Sequence, residues 1–294
     1  MRNILVVTGG AGFIGSNLIF ELQKYKKFKI LSIDNYSSGF TKNHIKNKRI
    51  KYLKGDTKNI EILLKSYKDK IHTIFHFGEF ARIYQSFKKI NECFRSNIEG
   101  SVQIFNFALK NKIKLIYSAT SASLGNSGKD TNLSPYAFSK AKNLELLENL
   151  KKWFKFKYEV IYFYNVYGER QICKGDMATV VGIFEDHYKR GKKLPVVKPG
   201  TQVRRFTHVF DTVKACIFAW KQNKCKHYSI ASKQSFSIME LAKMFKSKIR
   251  YLPKREGERF ASALTKMNLN NKIIILTAKI KLRNYIKNFL INNS

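Results

Sequence analysis

The sequence predicts an α/β protein: a doubly wound parallel sheet in its N-terminal part and a smaller α/β lobe toward the C-terminus. Three observations carry this expectation. Short apolar runs of strand length alternate with stretches of helical period, a glycine-rich turn joins the first run to the first helix, and an acid closes the second run. Regular strand–helix alternation favours crossover connections and a parallel sheet, with ligands lying over the carboxyl ends of its strands.

Ile4-Leu5-Val6-Val7 reads as a buried strand, and apolar residues recur at helical spacing over residues 14–22. Between them lies Thr8-Gly9-Gly10-Ala11-Gly12-Phe13-Ile14-Gly15-Ser16. Gly9 permits a tight turn, Gly12 lets backbone amides approach a pyrophosphate, and Gly15 allows close packing of helix on strand. The helix start at Phe13 and Ile14 faces the negative charge. A Rossmann-type dinucleotide-binding domain is therefore expected. Lys29-Ile30-Leu31-Ser32-Ile33-Asp34 reads as the second strand. Asp34 is placed to accept from the adenosine ribose hydroxyls and to repel a 2′-phosphate, which selects NAD over NADP. Asn35, Ser37 and Ser38 follow in a polar loop that suits the adenosine and equally suits a turn.

A third strand over residues 50–53 ends at Gly55-Asp56, an edge for the adenine ring or a plain turn. The fourth, Thr73-Ile74-Phe75-His76-Phe77-Gly78, runs into a small residue that suits close passage of the cofactor. A long helix is expected over residues 86–111, with Asn97 counted among the cofactor contacts, and Ile113-Lys114-Leu115-Ile116-Tyr117-Ser118 gives the fifth strand.

The chemistry is expected just beyond it. Ser134 and Pro135 read as the cap and first position of a helix reaching about residue 156. Tyr136 and Lys140 then share one face of its first turns. A phenol of pKa about 10 is a poor base at neutral pH, and lowering it by about 3 units takes roughly 4 kcal/mol of phenolate stabilisation. Lys140, a positive nicotinamide and the helix N-terminus together suit that task. Thr120 completes the constellation as a hydroxyl bridging Tyr136 and a substrate oxygen; Ser118, Ser121 and Ser123 are rivals for the same part.

Composition bounds the alternatives. The formal charge of +36 would ordinarily point to nucleic acid or an anionic membrane, but the excess is mostly scattered lysine beside abundant Asn and Ile. That pattern reads as compositional bias with a field attractive to anionic substrates, so no nucleic acid is expected as partner. No apolar run approaches about 20 residues, so no membrane span is expected either. Cys93, Cys173, Cys216 and Cys225 form no Cys-x-x-Cys pair, so no metal site or disulfide framework is indicated and a reducing, cytoplasmic setting fits. The expected division is a dinucleotide domain over residues 1–166, rejoined near 207–232, and a substrate lobe over 167–294.

With the glycine turn, Asp34, Thr120, Tyr136 and Lys140 in place, the chain resembles the extended short-chain dehydrogenase/reductase family, specifically its nucleotide-sugar epimerases and dehydratases. The resemblance covers nearly the whole chain. It implies that Phe163-Tyr164-Asn165-Val166-Tyr167-Gly168 contains an Asn, Asn165, that contacts the sugar diphosphate. It implies further that Arg204, in Gly200-Thr201-Gln202-Val203-Arg204-Arg205-Phe206, and Arg259, in Gly257-Glu258-Arg259, grip the nucleotide diphosphate. Counting back five places from Gly125 puts the family's catalytic Ser or Thr on Thr120. Sugar 4,6-dehydratases carry an Asp-Glu pair directly after that residue; Ser121 and Ala122 stand here, which favours epimerisation.

Glu79 and Arg82 occupy a stretch that is small and apolar in the family, and either would touch the substrate or pair with the other. The run Asn165-Val166-Tyr167-Gly168-Glu169-Arg170, followed by Lys174, is also similar to ADP-heptose 6-epimerases, where a lysine in this loop is a second acid/base. The expectation is thus an NAD-dependent nucleotide-sugar epimerase acting through transient C4 oxidation of a nucleotide-diphosphate sugar. Its competitors are a 4,6-dehydratase, a heptose 6-epimerase and an NAD-binding sensor. A homodimer is implied by the family.

Overall fold

The computed structural model describes residues 2–124, 132–257, 260–261 and 273–293. Its first half alternates as expected: β1 (Ile4–Thr8), α1 (Phe13–Leu22), β2 (Lys29–Asp34), β3 (Ile50–Lys54), α2 (Ile60–Leu64), β4 (Ile71–His76), α3 (Ile83–Lys88), α4 (Ile90–Phe94), α5 (Ser101–Lys110), β5 (Lys114–Thr120), α6 (Pro135–Phe154) and β6 (Tyr158–Phe163). The second half adds β7 (Val166–Tyr167), α7 (Val180–Lys189), β8 (Leu194–Val197), β9 (Val203–Arg205), β10 (Thr207–His208), α8 (Val209–Lys221), β11 (His227–Ala231), β12 (Ser235–Ser237), α9 (Ile238–Met244), β13 (Ile249–Leu252), β14 (Ile273–Thr277) and α10 (Leu282–Ile291).

Eight strands form one parallel sheet in the order β14-β11-β6-β5-β4-β1-β2-β3. Successive residues of β1 serve opposite faces. Ile4 and Val6 enter the core with Ile104, Phe105 and Leu147, whereas Leu5 and Val7 enter the core beneath α1 and α8 with Ile19 and Val213. Burial on both faces explains why these strands read as unbroken apolar runs. The order reverses between β1 and β4, and the carboxyl ends of those two strands border the cleft described below.

The lobe has its own core, in which Phe184, Val196, Phe236, Leu241, Phe245, Leu282 and Ile286 pack together. It is built on small pairs, β8 with β13 and β9 with β12. The segment near 207–232 returns to the main sheet as α8 and β11. Residues 273–277 do so as well, although the expected boundary gave them to the lobe: β14 pairs with β11, and Ile274 and Leu276 pack against the α8-side core.

Two helices differ from expectation. The stretch 86–111 is not one helix: Lys89 leaves helical geometry at φ −126°, ψ 49°, and residues 95–100 form a wider π turn before α5. That turn presents Asn97 to the backbone of Phe80, whose N–H and C=O are both bonded by the Asn97 amide at 2.7 and 3.0 Å. The helix α6 starts as read, with Ser134 accepting from Ala137 N–H and Pro135 in its first turn, but stops at Phe154. Lys155 there turns left-handed at φ 55°, which drops Phe156 into the core.

Candidate active site

The glycine turn is built for close approach. Gly9 sits at φ +69°, and a Cβ there would stand 2.8 Å from the Phe77 carbonyl and 2.9 Å from Gly78 Cα. A Cβ at Gly15 would fall 2.1 Å from the Gly9 carbonyl. No side chain caps α1, whose first turn opens on the cleft. An uncapped helix start beside a side-chain-free turn fits a dinucleotide pyrophosphate. Asp34 closes β2 and binds the turn, accepting from Ala11 N–H at 2.9 Å and Tyr36 N–H at 2.8 Å. Burial raises its pKa, and the amides of Tyr36, Ala11 and Gly12 oppose that rise.

One cavity of about 430 Å³ runs from this turn to the start of α6. Gly9, Gly12, Phe13, Ile14, Gly15, Asp34, Asn35, Ser38, Gly55, Asp56, Phe77 and Gly78 all border it. Asn35 donates to Asp56 at 3.1 Å, so the two expected adenosine contacts brace each other. Asn97 is placed differently. It is buried behind the wall, where its amide also donates to Ser139 Oγ at 3.1 Å and its carbonyl accepts from Asn143.

At the other end, α6 brings Tyr136 and Lys140 to the cavity and β5 runs on to Thr120, all three largely buried. Thr120 Oγ accepts from Ala122 N–H at 3.1 Å and shares a hydrogen bond with the Tyr136 hydroxyl. A hydrogen bond donated by Thr120 favours the phenolate, and this bond lowers the Tyr136 pKa. Two rivals point elsewhere: Ser118 Oγ donates to the His76 carbonyl at 3.0 Å and Ser123 Oγ to the Thr120 carbonyl at 2.7 Å. Burial pushes the Tyr136 phenol up to about 12; Thr120 and Arg82 counter this, and Glu79 adds to it.

Lys140 does not lie free beside the phenol. Its ammonium donates to Glu79 Oε2 and to the Ser118 carbonyl, and it sits 4.6 Å from the centre of the Tyr117 ring. Burial lowers its pKa, and Glu79 opposes that. Glu79 Oε1 accepts from Ser101 Oγ and Tyr117 OH, both at 3.0 Å. Behind Ser101 stands His76, 3.0 Å away through Nε2 and 2.8 Å from Thr8 Oγ through Nδ1. Thr8 Oγ also accepts from Phe77 and Gly78 N–H, at 3.1 and 3.0 Å. Its hydroxyl proton must therefore go to His76 Nδ1, which puts the imidazole proton on Nε2 and sends the Ser101 proton to Glu79. Burial lowers the His76 pKa to about 4, which keeps the ring neutral in this chain.

Glu79 and Arg82 therefore do not pair with each other. The Arg82 guanidinium donates to the carbonyls of Ala81, at 2.7 Å, and Met177, and it borders the cavity. Asn165 donates to the Arg205 carbonyl at 3.0 Å. Lys174, 62% exposed, pairs with Asp186 at 3.5 Å and is absent from the cavity wall. Arg204 is buried, donates to the Val203 carbonyl and is also off that wall. Arg259 lies outside the described residues. Residues that the sequence did not single out include Tyr117, Ser101 and Asn143 around Glu79, and Phe163, Ile172 and Met177 on the wall. Asn143 follows Lys140 on the same helix face, a spacing that was available as a signal; the wall residues carry none.

Among the described residues no cluster of His, Cys, Asp or Glu is suited to hold a metal, and no helix is long and apolar enough to cross a membrane. The chain is 29% identical over 259 residues to an ADP-L-glycero-D-manno-heptose-6-epimerase of Brachyspira hyodysenteriae, spanning 83% of this chain and 80% of that protein. It superposes with a TM-score of 0.86 and 26% identity on UDP-glucose 4-epimerase of Thermotoga maritima, solved with UDP-glucose, covering 98% and 97% of the two chains. Thermus thermophilus UDP-glucose 4-epimerase, solved with NAD, shares the fold at a TM-score of 0.80 and 22% identity, over 89% of this chain and 90% of that one. Over residues 5–231 the sequence matches the model of the NAD dependent epimerase/dehydratase family. The chain therefore belongs to that family, and NAD is its cofactor.

Proposed function

We propose that this enzyme is a nucleotide-sugar epimerase that works through transient oxidation at C4 of the sugar. Tyr136, on the wall of the same cleft as the glycine turn, one helical turn from Lys140 and hydrogen-bonded from behind that wall by Thr120, is the observation that carries the reading. NAD, when bound, supplies a reversible hydride acceptor. Tyr136 takes the proton of the C4 hydroxyl and later returns it. Thr120 holds the phenol oxygen and orients the sugar oxygen beside it. Lys140 stands at the same end of the cleft and is placed to hold the nicotinamide ribose. Bringing a phenol from about 12 to near neutrality requires roughly 7 kcal/mol of preferential phenolate stabilisation, so the positive charges around it matter.

Gly9, Gly12, Phe13, Ile14, Gly15 and Asp34 form the proposed NAD seat, with Asn35, Ser38, Gly55, Asp56, Phe77 and Gly78 along the same wall. Arg82, on the cavity wall, is the proposed contact to the sugar diphosphate; Asn165, bonded to the Arg205 carbonyl and off that wall, has this part only as the resemblance implies it. Two features favour epimerisation at C4 over the competing reactions. Ser121 and Ala122, which follow Thr120, are buried and carry no carboxylate for water elimination. Lys174 is engaged with Asp186 away from the cavity wall, which weighs against a second acid/base there. The proposed assembly is a homodimer, which light scattering tests: a monomer mass overturns it.

The reaction is tested by incubating the protein with UDP-, GDP-, CDP-, ADP- and dTDP-sugars in deuterated water and following C4 and C5 by NMR. Inversion at C4 without deuterium uptake is expected; deuterium at C5 or a stable keto product overturns the assignment. Tyr136→Phe should stop interconversion and leave the fold intact.

A further inference from the structure

Glu79 stands within a segment that passes over the reacting end of the cleft, yet its side chain is only 2% exposed. A carboxylate so buried survives only where donors surround it. Here they come from three elements: Lys140 on α6, Ser101 on α5 and Tyr117 on β5, with Asn143 of α6 at 3.4 Å and His76 of β4 behind Ser101. Ser101 and Tyr117 hold one carboxylate oxygen while the other meets the Lys140 ammonium.

We propose that Glu79 is a positioning residue that pins Lys140 against the Ser118 carbonyl and cancels its charge beside Tyr136. Control of the phenol's proton then passes to the charge of the bound dinucleotide. This rests on the reading of Tyr136 as the acid/base. The charged and titratable groups that face the Tyr136–Lys140 pair are Glu79 and Arg82 from the segment after β4, Cys93 from α4, Tyr117 from β5 and His76 from β4, and the last two also face Glu79. Arg82 favours the phenolate and Glu79 disfavours it, so the two residues of the same segment act in opposite directions. With Lys140 neutralised as a pair, the Tyr136 phenol would respond mainly to the charge that a dinucleotide brings into the cleft.

The test is calorimetric titration of NAD⁺ into the purified protein from pH 6 to 10, a readout that requires no turnover. By linkage, NAD⁺ affinity should rise with pH across the ionisation of Tyr136, and Tyr136→Phe should abolish the rise. In Glu79→Gln the pH range of the rise should move down by about one unit, the scale of removing one nearby charge. The double variant Glu79→Gln/Lys140→Met removes both charges together and should return the range to that of the wild type. A rise present in the wild type and lost in Tyr136→Phe, but unmoved in Glu79→Gln, overturns the role of Glu79 alone. A double variant displaced by a unit or more overturns it also, which keeps the test open if the single variant fails to fold. No pH dependence in the wild type overturns both the role of Glu79 and the reading of Tyr136 on which it rests.

Discussion

Arg170 donates to the amide oxygen of Asn17 at 3.0 Å, joining the loop after β7 to the first helix across most of the sequence. The same amide donates to the Glu169 carbonyl at 2.8 Å and to the Phe13 carbonyl at 2.9 Å. Asn17 is wholly buried, so its side chain is a clasp between the cofactor helix and the segment carrying Asn165. Asn17→Leu strands a carbonyl and a guanidinium and should cost about 2 kcal/mol in stability. Chemical denaturation measures this, and NAD affinity should fall with it.

Gly15→Ala tests the cofactor turn itself. Its new Cβ would collide with the Gly9 carbonyl at 2.1 Å, and that neighbour is backbone that cannot swing aside. NAD binding should weaken at least tenfold and stability fall by about 1–3 kcal/mol; calorimetry with NAD⁺ and thermal denaturation check the two effects separately.

Thr120→Val keeps the shape of the strand end but removes the hydrogen bond to the phenol. The kcat should fall about a hundredfold with little change in NAD affinity. A Thr120→Ser variant should recover much of the rate, because the donated hydrogen bond is what matters.

His76 makes the fold sensitive to acid. Its folded pKa of about 4 lies below the ordinary value of 6.5, so the unfolded chain binds the extra proton first. The stability due to the neutral ring is complete above pH about 6.5 and is lost as the pH falls toward 4, by about 3 kcal/mol in all. Protonation would place a second proton between Nδ1 and the Thr8 hydroxyl, which already points there. Denaturation midpoints should fall over that range in the wild type and show a flatter slope in His76→Gln.

The elements that border the candidate cofactor end of the cleft were legible in the sequence because each step depends on local geometry. A strand, a glycine turn and a capped helix impose residue types at fixed short spacings, and β1, α1 and the start of α6 formed where those spacings put them. The segment 79–82 was less legible. A Glu in a loop ordinarily faces solvent, and the donors that bury Glu79 arrive from β5, α5 and α6, far away in the chain. The break in the expected long helix was hidden for a similar reason, since Asn97 is drawn by the backbone of Phe80 and not by its own neighbours. Lys174 matched a spacing without reaching the cavity, as an abundant residue type does easily.

The near contact of Gly9 and Gly78 gives the cleft a ruler made of main chain. No side chain separates the two loops, and β1 and β4 are locked in register by Val7 beside Phe75 and Thr8 beside His76. The spacing between the cofactor turn and the segment holding Glu79 is thus inherited from the ladder of the sheet. Drift in the surrounding side chains can retune what the cleft recognises while leaving the alignment of its two ends as the strands set it.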